Sequence, residues 1–118
     1  MVAHWFSECS YSNKDLVGGK NSSLGELYNL SKKLDFNISD GFAISTKFYS
    51  SFITQNNIKQ KIEDEIKNVD VDDFEILNKT SENIINLFKT SKYSDDQIEI
   101  LKSFYQKLCQ KYDTNNLS

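Results

Sequence analysis

Between residues 57 and 112 apolar side chains recur every three or four positions with polar ones between them, and nothing else in the chain constrains its fold as tightly. Ile58, Ile62 and Ile66 make one row. Phe74, Leu77, Ile84 and Phe88 make a second, and Ile98, Leu101, Tyr105, Leu108 and Tyr112 a third. This period belongs to helices that bury one face each. Each row follows a residue able to accept from the free N–H groups of a first helical turn, with a Glu or Gln three places on. The pairs are Asn57 with Gln60, Asp72 with Glu75, and Ser94 with Gln97. Acids at 70, 72, 73 and 75 complement the positive end of a helix dipole, and no metal is needed to account for them.

The front of the chain reads differently. Residues 3–8, Ala-His-Trp-Phe-Ser-Glu, predict a short strand with Trp5 and Phe6 as the side chains to bury. Residues 41–45, Gly-Phe-Ala-Ile-Ser, predict a second, paired with or beside the first. Between them a helix is expected to start at 21–23, with Ser23 and Glu26 as a capping box and Leu24, Leu27, Leu30 and Leu34 as its buried face. Gly25 would cost about 1 kcal/mol against alanine in such a helix, which points to close packing on a neighbouring backbone. Ser45 or Thr46 would cap a further helix whose core face is Phe48, Tyr49, Phe52 and Ile53. The expected class is α+β, mostly α: a two-stranded element and then a helical bundle, divided as 1–55 and 56–118.

A chain of 118 residues holds one domain with a modest core. Its 14 basic residues are all lysine, interspersed with acids to a net charge of −3, so a nucleic-acid partner is not expected. Cys9 and Cys109 have no metal-ligand spacing and read as free thiols. His4, the one histidine, reads as a strand-edge residue. Without a signal-peptide pattern or a membrane-length apolar run, a cytoplasmic protein with no membrane partner is expected.

Gly18-Gly19-Lys20 is the stretch with chemistry in it. Two residues without a Cβ let the backbone turn tightly and approach a ligand. A lysine then stands where a helix begins, and helix N-termini favour anions. It is not a Walker A loop, because Lys14 and Asn21 occupy positions where that motif needs Gly and Ser or Thr. From the residues alone, a phosphate cradle and a plain turn with a solvated lysine both stand.

The longer string Val17-Gly-Gly-Lys-Asn-Ser-Ser-Leu-Gly-Glu-Leu27, followed by Asp40-Gly-Phe-Ala-Ile-Ser45 and Tyr49, resembles the opening of the phosphoenolpyruvate synthase and pyruvate phosphate dikinase family. The likeness is dense over 5–52 and faint beyond. Ser39 stands near where the family has proline, and this chain has none; Ser45 stands where it prefers threonine. The resemblance implies the N-terminal part of an ATP-grasp-type ATP-binding domain, with Gly18, Gly19, Lys20 and Asn21 at the ATP phosphates. It also implies a parent enzyme that uses ATP and Mg2+ to phosphorylate its own histidine and then pyruvate. That histidine, the metal-binding acids, the pyruvate-binding barrel and a nucleotide-binding arginine have no counterpart here, so neither a catalytic residue nor a metal ligand is expected. The piece is expected to fold, to be inactive alone, and to pair with itself through an exposed apolar face. Rifampin phosphotransferase opens with a similar domain and leaves the acceptor open. A non-catalytic helical interaction module, needing no ligand at 18–20, is the reading from another class.

Overall fold

The computed structural model describes residues 2–117 and contains, in order, β1 (Ala3–Trp5), two 3-10 turns (Phe6–Glu8 and Tyr11–Asn13), α1 (Lys14–Leu34), β2 (Phe42–Ile44), α2 (Thr46–Gln55), α3 (Ile58–Ile66), α4 (Phe74–Thr90) and α5 (Asp95–Lys111). The protein is α+β and mostly α, as expected. It divides into two compact units, one made of the residues up to 49 together with those from 94 onward, the other of residues 50–93.

In the first unit β1 and β2 pair antiparallel, Ala3 opposite Ile44, His4 opposite Ala43 and Trp5 opposite Phe42. Backbone bonds from Phe6 N to Gly41 O and from Ser45 N to Val2 O carry the pairing one step further at each end. The first strand stops sooner than its sequence suggests. The Trp5 N–H donates to the Glu8 carboxylate at 2.8 Å and Cys9 N to Phe6 O at 3.0 Å, which winds residues 6–8 into a 3-10 turn. Trp5 and Phe6 are half-buried. Trp5 and Phe42 are directly opposite across the two strands, so their side chains share a face, and Phe104 of α5 stacks on Trp5 at 5.0 Å. Ala43, on the other face, joins Cys9 and Val17 in a small core.

α1 departs most from expectation. It begins at Lys14 and not at 21–23, and it is broken at Gly18, whose φ of 84° and ψ of 166° are not helical. The capping box of Ser23 and Glu26 does not form, because Glu26 accepts from Tyr11 N at 3.1 Å. Nor is the leucine row buried. Leu27, Leu30 and Leu34 are 46%, 43% and 63% exposed, while Val17, Ser22, Gly25, Tyr28 and Ser31 face inward. Gly25 supplies the reason. A Cβ built on it would lie 2.0 Å from the carbonyl oxygen of Cys9, so α1 rests on that backbone at a distance only glycine permits. The helix turns its thinnest side inward, and the buried Ser22 and Ser31 hydroxyls donate to the Gly19 and Tyr28 carbonyls.

The loop after α1, which lacks the family's proline, is held by side chains instead. Lys111 Nζ reaches the Asp40 carboxylate at 2.6 Å and the Tyr28 hydroxyl at 2.9 Å, and Asp40 N donates to the Tyr112 hydroxyl at 2.6 Å. α5 carries the expected capping box, with Gln97 N donating to Ser94 Oγ and Ser94 N to Gln97 Oε1. The expected cap of α2 is not made by Ser45. Its buried hydroxyl has no partner among the described residues, and neither has His4 Nε2.

In the second unit Ile58 and Phe52 are buried, and Phe52 meets Phe88 and Tyr93 at 6.4 and 5.1 Å between ring centroids. Tyr49, at the end of the first unit and expected on the same core face as Phe52, is exposed. The caps also shift. Asp73, one residue after the expected Asp72, accepts from Glu75 N and Ile76 N. Asn57 adopts the left-handed conformation without a side-chain cap. Asn56 beside it makes paired bonds with the Lys92 backbone, at 3.0 Å to its carbonyl and 3.2 Å from its N–H. Ile66, Phe74 and Leu77, expected to be covered, are exposed.

Candidate phosphate site at the break in α1

The break at Gly18 arises from local chemistry on both sides. Upstream, Asn13 takes the Ser10 N–H on its Oδ1 and donates from Nδ2 to the Glu8 carbonyl, which closes the 3-10 turn and launches the helix at Lys14. Helical conformation lasts until Val17. Gly18 then adopts a backbone conformation that essentially only glycine occupies, and the helix restarts at Gly19. Across the break Asn21 Nδ2 donates to the Val17 carbonyl at 2.8 Å, capping the short upstream turn.

A helix that restarts presents a fresh N-terminus, where first-turn N–H groups and the dipole favour an anion. Gly18, Gly19 and Lys20 are all exposed. A Cβ on Gly18 would meet nothing within 4 Å, so glycine is required there for its φ and not for want of room, and the space above it is open. Lys20 lies in the first turn of the restarted helix, with no ion pair to any described residue. Lys20 thus stands at a helix N-terminus, as its place after two glycines predicts, and a helical turn from Lys14 precedes it. Asn21, grouped with the ligand residues, has its amide directed at Val17 and holds the break in shape.

One neighbour was overlooked. The terminal methylene of Lys14 comes within 3.6 Å of where a Gly19 Cβ would stand, so its ammonium is carried to the same loop. Its signal in the sequence is a second lysine six places before Lys20, legible only once 14–17 is known to be a helical turn. The Thr46 hydroxyl donates to the Asp15 carbonyl at 3.3 Å, fixing the start of α2 against that turn.

At the far end of α1, about 18 Å away at 1.5 Å per residue, Tyr28, Ser31, Lys32, Lys111 and Tyr112 line a concavity of about 300 Å³. Lys111 is committed there to Asp40 and Tyr28, which push its pKa up, the Asp40 hydrogen bond most. That makes it a structural tie. Among the described residues no group of three or more His, Cys, Asp or Glu could hold a metal ion, and no helix is long and apolar enough to cross a membrane.

The family described as "Pyruvate phosphate dikinase, AMP/ATP-binding domain" matches residues 14–118. A phosphoenolpyruvate synthase of Helicobacter pylori is 32% identical over 108 residues, covering 92% of this chain and 13% of the relative. One from Aquifex aeolicus is 29% identical over 111 residues, covering 94% and 13%. One from Escherichia coli is 25% identical over 104 residues, covering 88% and 13%. The chain thus spans 13% of the length of these relatives.

Proposed function

Since the chain belongs to the pyruvate phosphate dikinase AMP/ATP-binding domain family, we propose that it is the N-terminal ATP-binding portion of a phosphoenolpyruvate synthase-like phosphotransferase. The reading is carried by the break at Gly18: a positive-φ glycine opens a new helix N-terminus into free space, with an exposed lysine in its first turn. Phosphate oxygens of ATP accept from the first-turn N–H groups and from Lys20 Nζ. Lys14 stands on the flank, and Asn21 holds the loop through the Val17 carbonyl.

Phosphoryl transfer needs positioning and charge neutralisation more than covalent help, so Lys20 acts as a fixed positive charge and moves no proton. In the intact enzyme ATP phosphorylates an enzyme histidine, and pyruvate receives the group. His4 is not that histidine, for its ring lies on the paired strands opposite Ala43 with Nε2 enclosed. Among the described residues no group of three or more His, Cys, Asp or Glu is placed to hold Mg2+, and the step derived for this chain is the holding of phosphate by Lys20 and the first-turn N–H groups. On its own the chain binds ATP weakly and transfers nothing. Its cations sit at an open surface, where solvent and salt screen each contact.

Amide chemical-shift mapping with ATP tests this. Shifts confined to 14–21, with weak saturation that Lys20→Ala weakens further without changing the melting temperature, are expected. A charge-assisted contact is worth about 1.5–3 kcal/mol where water is excluded, so in the full enzyme Lys20→Ala should cost roughly tenfold to a hundredfold in ATP use. Shifts centred on Tyr28 and Lys111, or none at millimolar ATP, would refute the assignment.

A further inference from the structure

We propose that the concavity at the C-terminal end of α1 is a binding site for a small zwitterion of the α-amino-acid class. It lies wholly within the first unit and does not depend on the nucleotide reading of Gly18–Lys20. Two opposite charges line it without meeting. Lys32 and Asp35 both border this space of about 300 Å³, and neither forms an ion pair with any described residue. Around Lys32, hydrogen-bond donors collect. Lys32 Nζ lies 4.8 Å and Lys111 Nζ 5.3 Å from the centre of the Tyr28 ring. An ammonium has three protons to give, and Lys111 spends two, on Asp40 and Tyr28. The Tyr28 and Tyr112 hydroxyls accept from Lys111 Nζ and Asp40 N, so each keeps its own proton to donate. No described residue accepts those protons. Asp40 is itself fixed, by Lys111 on one oxygen and by Gly41 N on the other. This end matches a group that only accepts, such as a carboxylate.

The other end has the reverse character. Asp35 closes α1 in the left-handed conformation, and its N–H and that of Phe36 both go to the Ser31 carbonyl. The carbonyls of Lys32, Lys33 and Leu34 therefore receive no described backbone N–H, and a helix C-terminus favours a cation. Together with the Asp35 carboxylate they match an ammonium. A plain anion would satisfy the lysines and be repelled by Asp35 and the helix end. ATP, with several negative charges and no positive one, is disfavoured here for that reason. The volume stands at the lower edge of the range for ligand sites, which suits a compact molecule carrying both charges.

Amide chemical-shift titration of the 118-residue chain tests the proposal, with the common L-amino acids added singly. At least one should move residues 28–38 together with 111 and 112, saturating at millimolar concentrations because solvent screens the contacts. The N-acetyl and methyl-ester derivatives of that amino acid, which each lack one charge, should bind roughly fivefold or more weakly. Lys32→Met and Asp35→Asn remove one charge each from the protein, and asparagine tolerates the left-handed conformation at 35. Both variants should keep the native melting temperature and lose affinity by a similar factor. Four results would overturn the proposal: no shifts at tens of millimolar, shifts centred elsewhere, a derivative that binds as well as its parent, or native affinity in both variants. The nucleotide reading is told apart by its own signature at 14–21, which ATP should produce whether or not an amino acid occupies this concavity.

Discussion

Gly25→Ala probes the contact that sets the whole front of the molecule. The added methyl would sit 2.0 Å from the Cys9 carbonyl oxygen, 2.5 Å from its carbon and 2.6 Å from its Cβ. Two of those atoms are backbone, so no rotamer change relieves the clash; α1 must lift or the Cys9 segment must shift. Overpacking of this kind costs about 1–3 kcal/mol and at times more. A carbonyl at such a distance, beside a fully buried Cys9, belongs at the upper end. Alanine returns about 1 kcal/mol of helix propensity, which leaves a net loss of about 2 kcal/mol or more. At roughly 4 °C per kcal/mol for a chain of this size, the melting temperature should fall by about 8 °C. Thermal and urea unfolding followed by circular dichroism measure it. If the variant matched or exceeded the native protein in stability, α1 would not lie on the Cys9 backbone and the explanation for the exposed leucines would fail.

Gly18→Ala, which meets no atom within 4 Å, should still cost about 1–3 kcal/mol from its φ alone, and Gly18→Asn should cost no less if ψ near 166° is what matters; urea midpoints decide. Lys111→Met should remove a small part of the stability, about 1 kcal/mol or less because the ion pair is partly exposed. The folded state raises the Lys111 pKa, chiefly through the Asp40 hydrogen bond, so this contribution is complete below about pH 10 and disappears as pH climbs through the raised value. A difference between native and variant that grew above pH 10 would contradict that sign. Cys9 has its thiol pKa pushed up by burial and then by Glu8, so it should resist alkylation at pH 8 until the protein is unfolded; rapid labelling of the native chain would show that the Cys9–Gly25 contact opens readily.

What the sequence determined on its own is what depends on neighbours within a few positions. The Ser94–Gln97 capping box formed as read because all its atoms lie within one helical turn. A lysine after two glycines came out at a helix N-terminus because glycine alone can take the conformation at Gly18. Tertiary structure decided which side of α1 turns inward. A leucine period says which face can be buried, but a helix approaching the Cys9 carbonyl must offer the face with no Cβ in the way, and that face belongs to Gly25. Lys14 reached the loop for the same kind of reason, since only a folded turn at 14–17 brings its chain back alongside Gly19. The tie from Lys111 to Asp40 spans 71 positions, and no local pattern announces it. Spacing records what a helix can bury, whereas contact with a distant backbone selects what it does bury, because steric repulsion climbs far more steeply on close approach than the hydrophobic gain does.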